Sequence, residues 1–439
     1  MEKHRPAIAK ALFTENLSAS EIARRTGLSQ PTASRALANL PVIRLGKGRA
    51  SVYAWVESVE GHPVYAVDPD GQVNLLATLY RQPDSRILLI HPDSYHTYDD
   101  LPWFLYSVLP AGFLGRLHGE YLSSRIAVDK NPARWSTNEV FRYLLNEADD
   151  LAGNLLIGKG SSRLYQAQRD KKQQVIANQY DAIARDINHV GIARYSVAGE
   201  QPKFLAYTSG ESGAAYHAIV KYSAPLQINS PAAQRYQDLL VAEHLALECL
   251  SEHNVTASQS RLLESERLYL EMRRFDRIGE HGRRGIVSLR DFEAEYVGDS
   301  VHWHEAADAF LRLDLIDEMT QQQIHLLHAF GLLIANTDMH FGNLSFYFED
   351  LRVQGLAPAY DMLPMMYMPV RDEVVEREFK VAPLVGIAAK MRRRAKEMAQ
   401  TYWQNISVDD RISNVFREIA HNNQTLLTEA ITSTDENFS

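Results

Sequence analysis

The chain has 439 residues, of which 45% are apolar and 23% charged, an ordinary globular balance that excludes a disordered or fibrous polypeptide. At about 100–200 residues per domain, the length allows two to four domains. The apolar stretch at 326–335 falls short of the roughly 18 residues of a membrane span, the first residues lack the apolar core of a signal peptide, and a single cysteine, Cys249, can build neither an internal disulfide nor a cysteine-rich zinc site. A cytoplasmic protein without membrane attachment is expected. The net charge of −9 is uneven: residues 1–56 carry nine Lys or Arg and three acids, a balance of +6, which leaves −15 on the other 383. A basic head on an acidic body predicts that the head meets a polyanion.

Residues 5–14 predict a first helix with Ile8, Leu12 and Phe13 on one side. Ser18 and Glu21 form an S-x-x-E capping box that opens a second helix, and Gly27 stands where a C-cap wants glycine. Ser29 caps a third helix running through Leu40, with Pro31 where a missing N–H costs little. Val42–Trp55 reads as two short strands around a basic tip, Gly46-Lys47-Gly48-Arg49. This order is that of a winged helix-turn-helix, whose second motif helix enters the major groove. Gln30, Thr32, Ser34 and Arg35 would then face bases or phosphates, and Lys47 and Arg49 would reach the backbone from the wing. Duplex DNA is the expected partner of residues 1–57; a basic face that is only solvated is the plainer alternative.

In the region 58–180, Val64–Val67 and Val73–Leu76 flank the hairpin signal Asp68-Pro69-Asp70-Gly71. Residues 87–90 suggest another strand. Residues 102–117, interrupted by Pro110 and Gly112, should pack as short helix and turn, with Trp103 and Phe104 in the core.

The body, 181–439, carries the chemistry. Ser196-Val197-Ala198-Gly199 is a small-residue turn before a strand that starts near Lys203, and such a turn leaves backbone N–H groups free to approach phosphate oxygens. Lys221 ends an alternating strand, where a lysine can neutralise the phosphates of ATP. Glu243, on the helical segment 234–250, is its candidate ion-pair partner. Leu268, Leu270 and Met272 alternate ahead of Arg273, Arg274, Phe275 and Asp276, a candidate strand and hinge for adenine. A helix over 320–335 ends in Asn336, Asp338, His340 and Asn343, four catalysis-capable side chains within eight positions. Short strands around 344–348 and 356–359 precede Asp361. Protein kinases use this order: an Asp that orients the acceptor hydroxyl, an Asn five residues later on Mg²⁺, and a second Asp beyond a hairpin on the metal. Asp338 and His340 are thus candidate catalytic residues, and Asn343 and Asp361 candidate ligands for a hard cation.

On these residues the chain resembles the HipA family of bacterial serine/threonine kinase toxins. The resemblance spans residues 60–420 and rests on SVAGEQPK at 196–203, RRFDR at 273–277, NTDMHFGN at 336–343 and YD at 360–361, with LPAG at 109–112 in support. It implies an α+β protein: an N-terminal winged helix-turn-helix followed by a two-lobed, protein-kinase-like fold that uses ATP and Mg²⁺. It makes Asp338 the catalytic aspartate, Asn343 and Asp361 the metal ligands, and Lys221 the phosphate-binding lysine. The phosphate loop becomes Val197, Ala198, Gly199, Glu200, Gln201 and Lys203, and the hinge runs through the main chain of Arg273–Phe275. It also implies Ser196 as an autophosphorylation site. Two departures stand out: Arg273 occupies a position where the family often has Glu, and the DNA-binding part is fused to the chain, whereas family toxins usually bind a separate antitoxin protein.

The expected function is an ATP- and Mg²⁺-dependent serine/threonine protein kinase that inhibits growth and binds DNA. Family substrates include aminoacyl-tRNA synthetases of the translation machinery; the sequence does not identify this chain's own. Two other classes compete. One is a DNA-binding regulator with a kinase-like sensor body, against which the intact Asp338, Asn343, Asp361 and Lys221 speak. The other is a DNA-acting nuclease toxin, which would need neither phosphate loop nor hinge.

Overall fold

The computed structural model describes residues 4–148, 150–169, 174–189, 201–210 and 213–435. Ser196, Val197, Ala198, Gly199 and Glu200 lie outside the described residues.

The head comprises α1 (Arg5–Ala11), β1 (Leu17–Ser18), α2 (Ala19–Thr26), α3 (Gln30–Leu37), β2 (Val42–Leu45) and β3 (Val52–Trp55), with its strands in the order β1-β3-β2. Ile8, Leu12, Leu17, Ile22, Ala33 and Leu37 form its core. The capping box is complete: Ser18 Oγ accepts the Glu21 N–H at 3.3 Å and Glu21 Oε2 accepts the Ser18 N–H at 2.9 Å. The predicted first helix is too long. It stops at Ala11, and Phe13, expected on its inner side, is exposed. Strand β1 was not predicted; its two residues pair with Tyr53 and Val52.

The middle region comprises β4 (His62–Val67), β5 (Val73–Arg81), β6 (Ile87–His91), β7 (Ser94–Tyr98), α4 (Gly112–Ser123), α5 (Thr137–Asn146), β8 (Leu155–Ile157) and α6 (Gly158–Arg169). Its five strands run β7-β6-β5-β4-β8. Trp103 and Phe104 are core residues. Residues 112–123 form a longer helix than expected, despite Gly115 and Gly119. Those glycines are packing sites: a Cβ on Gly115 would lie 2.7 Å from the Pro110 carbonyl carbon, and one on Gly119 would lie 2.1 Å from the Lys130 carbonyl oxygen.

The head is docked on the middle sheet. Leu45, Ala54 and Val56 share a cluster with Leu88. Gln82, fully buried, donates to Asn16 Oδ1 at 3.2 Å and to the Trp55 carbonyl at 3.1 Å. Arg86 donates to the carbonyls of Phe13 and Thr14.

The body begins with α7 (Tyr180–His189). Then β9 (Lys203–Ser209), β10 (Ala215–Tyr222), α8 (Pro231–Glu252), β11 (Ser260–Glu264) and β12 (Leu268–Arg273) build a smaller lobe. Its antiparallel sheet runs β11-β12-β10-β9. A short hairpin, β13 (Arg277–Ile278) and β14 (Gly282–Arg283), leads to the larger lobe: β15 (Ile286–Ser288), α9 (Leu289–Tyr296), α10 (Trp303–Arg312), α11 (Glu318–Leu333), β16 (Ser345–Glu349), β17 (Arg352–Leu356), α12 (Ala389–Val408) and α13 (Asn414–Asp435). The strand expected at 356–359 lies earlier, at 352–356, because the turn after β16 is tight: Asp350 and Leu351 both take positive φ.

Between α10 and α11 the imidazole rings gather. His304 and His328 are 4.7 Å apart at their centroids, His302 and His328 5.4 Å, and His304 and His325 5.7 Å. His325 pairs with Asp308 at 2.9 Å. His304 and His328 are buried, and among the described residues the Nδ1 of each has no hydrogen-bond partner. Among the described residues no helix is long and apolar enough to cross a membrane.

Candidate active site

A cleft of about 670 Å³ lies between the two lobes of the body and is closed on a third side by the middle region. Its polar end holds Lys203, Lys221, Tyr360 and Asp361; its apolar wall includes Leu114 and Leu117 of α4 with Leu205, Ile219 and Met272 of the small-lobe sheet.

Lys221 is 4% exposed at its side chain and is held from two sides. Its Nζ donates to Glu243 Oε1 at 2.6 Å and Oε2 at 2.8 Å, and to Asp361 Oδ1 at 2.5 Å. Strand β10 delivers the lysine, helix α8 the glutamate, and the segment after β17 the aspartate. Burial disfavours the ammonium charge, yet Asp361 and Glu243 together hold the Lys221 pKa above its ordinary value. At Glu243 burial dominates and pushes the carboxyl upward, with Lys221 opposing. At Asp361 burial works against ionisation too, but Lys221 and Lys203 outweigh it and hold the carboxyl low. The segment is strained: Asp361 has φ +52° and Ala335, at the end of α11, +59°, a conformation that costs a non-glycine residue on the order of 1–3 kcal/mol and recurs at functional sites.

The loop after α11 is tied into one shape. Asn336 Oδ1 accepts the Asp338 N–H at 3.1 Å, and its Nδ2 reaches the Asp361 carbonyl at 3.4 Å. Asn343 Nδ2 donates to the Asp338 carbonyl at 2.8 Å. The Tyr360 hydroxyl donates to the Gly342 carbonyl at 2.8 Å and lies 2.7 Å from Ser345 Oγ. These bonds join Asp338 and Asn343, five positions apart, to the more distant Asp361. His340 caps the short turn Phe341–Asn343, its Nδ1 accepting the Gly342 N–H at 3.0 Å. Its carbonyl takes the Trp303 indole N–H at 3.3 Å.

Among the described residues no group of three or more His, Cys, Asp or Glu could hold a metal unaided. Mg²⁺ asks for less: it keeps water and binds through one or two protein oxygens plus substrate phosphates. The Asp361 carboxylate could supply one. Asn343, anchored by its nitrogen to the Asp338 carbonyl, could supply an amide oxygen as the other. A carboxylate and an amide are donors of the kind a hard cation takes.

The segment expected to serve as a hinge is more constrained than the sequence suggested. The Arg273 N–H donates to the Gln259 carbonyl and the Arg274 N–H to the His217 carbonyl, both at 2.8 Å, so neither amide is open to a ligand. Phe275 sits against Tyr360, with ring centroids 5.7 Å apart. Gln201 is buried, and Lys203 faces Lys221 on the neighbouring strand.

Sequence reasoning missed the network beneath the hinge. Arg274 pairs with Asp276 at 2.8 Å; Arg277 pairs with Asp276 at 2.6 Å and with Asp150 of the middle region at 2.8 Å. The motif RRFDR was visible, but its partner Asp150 is 127 positions away. In the head, Gln30, Ser34, Arg35 and Lys47 are exposed, while Thr32 is half-buried with its hydroxyl 2.8 Å from Ser29 Oγ. The side chain of Arg49 is not among those described.

Comparison with known proteins places the chain. Residues 59–166 match the middle domain of YjjJ-like toxins, and residues 195–426 match the HipA-like C-terminal domain. The chain belongs to the HipA-like family, in its YjjJ-like branch. It is 34% identical over 420 residues to Toxin YjjJ of Escherichia coli K12, covering 92% of this chain and 93% of that protein. Among solved structures, HipA of Shewanella oneidensis MR-1, in a complex with HipB and operator DNA, aligns with a TM-score of 0.48 at 16% identity, over 83% of this chain and 95% of that one. The Helicobacter pylori proinflammatory kinase CtkA aligns with a TM-score of 0.36 at 12% identity, over 52% of this chain and 92% of that one.

Proposed function

We propose that the protein is an ATP- and Mg²⁺-dependent serine/threonine protein kinase that inhibits growth, and that its head, a winged helix-turn-helix, binds duplex DNA. The observation that carries the kinase reading is the Lys221–Glu243–Asp361 ion-pair set at the polar end of the cleft, with the loop of Asp338 and Asn343 tied to the Asp361 carbonyl through Asn336. Lys221 and Lys203 meet the nucleotide phosphates, and apolar side chains of the small lobe and α4 receive the base. Asp361 and Asn343 hold Mg²⁺, which neutralises phosphate charge. Asp338 orients the acceptor hydroxyl and takes its proton. His340 fixes the shape of the loop through its cap. Ser196 is proposed as an autophosphorylation site on the family resemblance alone. Growth inhibition likewise rests on the family, whose Escherichia coli member is named a toxin. A separate antitoxin is the family's usual partner.

The DNA reading rests on the charge of the head and on exposed Gln30, Ser34 and Arg35 along α3. The test of the kinase reading is incubation with labelled ATP and Mg²⁺, alone and with cell lysate, beside the Asp338→Asn form. Label should appear on serine or threonine with the wild-type protein only. Equal labelling and equal growth inhibition by both proteins would refute the assignment.

A further inference from the structure

We propose that Arg290 selects protein substrates that carry a carboxylate beside the accepted hydroxyl. This rests on the kinase reading above. Arg290 is the second residue of α9 and lines the cleft together with Gly342, Ser345, Tyr360 and Asp361. A Cβ on Gly342 would lie 3.8 Å from Arg290 Nη1. The guanidinium therefore rests against the backbone of the loop that carries Asp338 and Asn343.

Its depth distinguishes it from the phosphate-facing lysine. Lys221 is 4% exposed and Arg290 55% exposed. A cation serving phosphates on the cleft floor is closed off from water; one at the mouth meets what arrives from solvent. Arg290 also lacks a good internal partner. Its one carboxylate neighbour among the described residues is Asp291, at 3.4 Å from Nε to Oδ1, long for a charge-assisted bond. Asp291 is engaged elsewhere, its Oδ2 accepting from Ser107 at 2.5 Å and Ser288 at 2.7 Å. Neither terminal nitrogen of Arg290 has a hydrogen bond among the described residues, which leaves the planar fork that binds carboxylates two-pronged.

The test uses the full-length protein with Mg²⁺-ATP and three pools of synthetic peptides, each with one serine and with Glu, Gln or Lys fixed beside it. Wild type should favour the Glu pool over the Lys pool by about fivefold in kcat/KM, as suits a partly exposed charge pair. Arg290→Gln should erase that preference and Arg290→Glu reverse it, both with an unchanged KM for ATP and an unchanged melting temperature. A wild type indifferent to the pools overturns the proposal. So do variants that raise the KM for ATP while keeping the order of the pools, because Arg290 then serves the nucleotide. ADP formation without labelled peptide in any pool overturns it as well, while absence of both ADP and labelled peptide sinks the kinase reading beneath it.

Discussion

Lys203 and Lys221 stand directly opposite each other as register partners of β9 and β10. Like charges facing across a sheet are destabilising, and here the same carboxylates offset both: each lysine lowers Asp361 and opposes the burial-driven rise at Glu243. The small lobe thus concentrates positive charge at the polar end of the cleft and keeps it folded with two buried or half-buried acids.

Removing one member of that set should cost more than removing two. Lys221→Met leaves the fully buried Glu243 without the cation that holds both its oxygens, and breaking a buried pair in this way costs about 3–5 kcal/mol. The double change Lys221→Met with Glu243→Leu should recover most of that loss, although nucleotide binding stays abolished. Urea unfolding of the three proteins is the measurement. A Lys221→Met protein as stable as wild type would show that the pair is not closed in solution.

The imidazole cluster predicts acid sensitivity. Burial, and then His304, His302 and His325, pull the His328 pKa down to about 3, with Glu305 opposing. His304 is lowered by burial, His325 and His302, with Glu305 and Asp308 opposing. The unfolded chain takes up a proton near the ordinary value of about 6.5, while the folded chain keeps His328 neutral. The contribution is complete above that ordinary value and is lost as pH falls from there toward the folded value. Thermal unfolding between neutral and acid pH should show this fall, and His328→Leu should flatten it. An unchanged slope in the variant assigns the acid loss to other groups.

Docking of the head can be released separately. Arg86→Ala removes both bonds to the Phe13 and Thr14 carbonyls, and hydrogen bonds from a charged donor are worth about 1.5–3 kcal/mol. Hydrogen exchange should quicken in α1 and at Trp55 while the body remains protected. Uniform protection throughout would mean that the shared cluster around Leu88 suffices alone.

DNA binding by the whole protein should weaken steeply with salt, since the head's Lys and Arg displace counterions. Arg35→Ala should cost about 1–3 kcal/mol if the side chain reads a base, and less if it meets phosphate. Fluorescence anisotropy on random-sequence duplexes at several salt concentrations measures both. No binding at low salt removes the DNA role.

What could be read from the sequence was what is local. Ser18 and Glu21 are three positions apart and make their capping box; Asp338 and Asn343 are five apart and share a hydrogen bond. In the sequence Glu243 is a candidate partner for Lys221 and equally a solvated acid on a helix face; the fold makes it the partner. The failures were non-local. Strand β1 exists only because Tyr53 and Val52 come back to meet it. The helix over 112–123 was obscured by glycines whose purpose is to let Pro110 and Lys130 approach. In sequence Arg290 is one more arginine, and only the fold sets it beside Gly342.

The contact between Asp150 and Arg277 bears on how the chain emerges from the ribosome. The middle sheet can close as soon as β8 is made, but the arginine that reaches Asp150 and the Leu151 carbonyl is synthesised more than a hundred residues later. Since domains tend to fold as they appear, N-terminal first, the face of the middle region that meets the hinge waits with its carboxylate in water. It gains its ion-pair partners only when RRFDR arrives, so the cleft takes its final form after the small-lobe strands are already out. A ribosome stalled before that motif would carry a head and middle region that are folded yet lack the cleft's third wall contact.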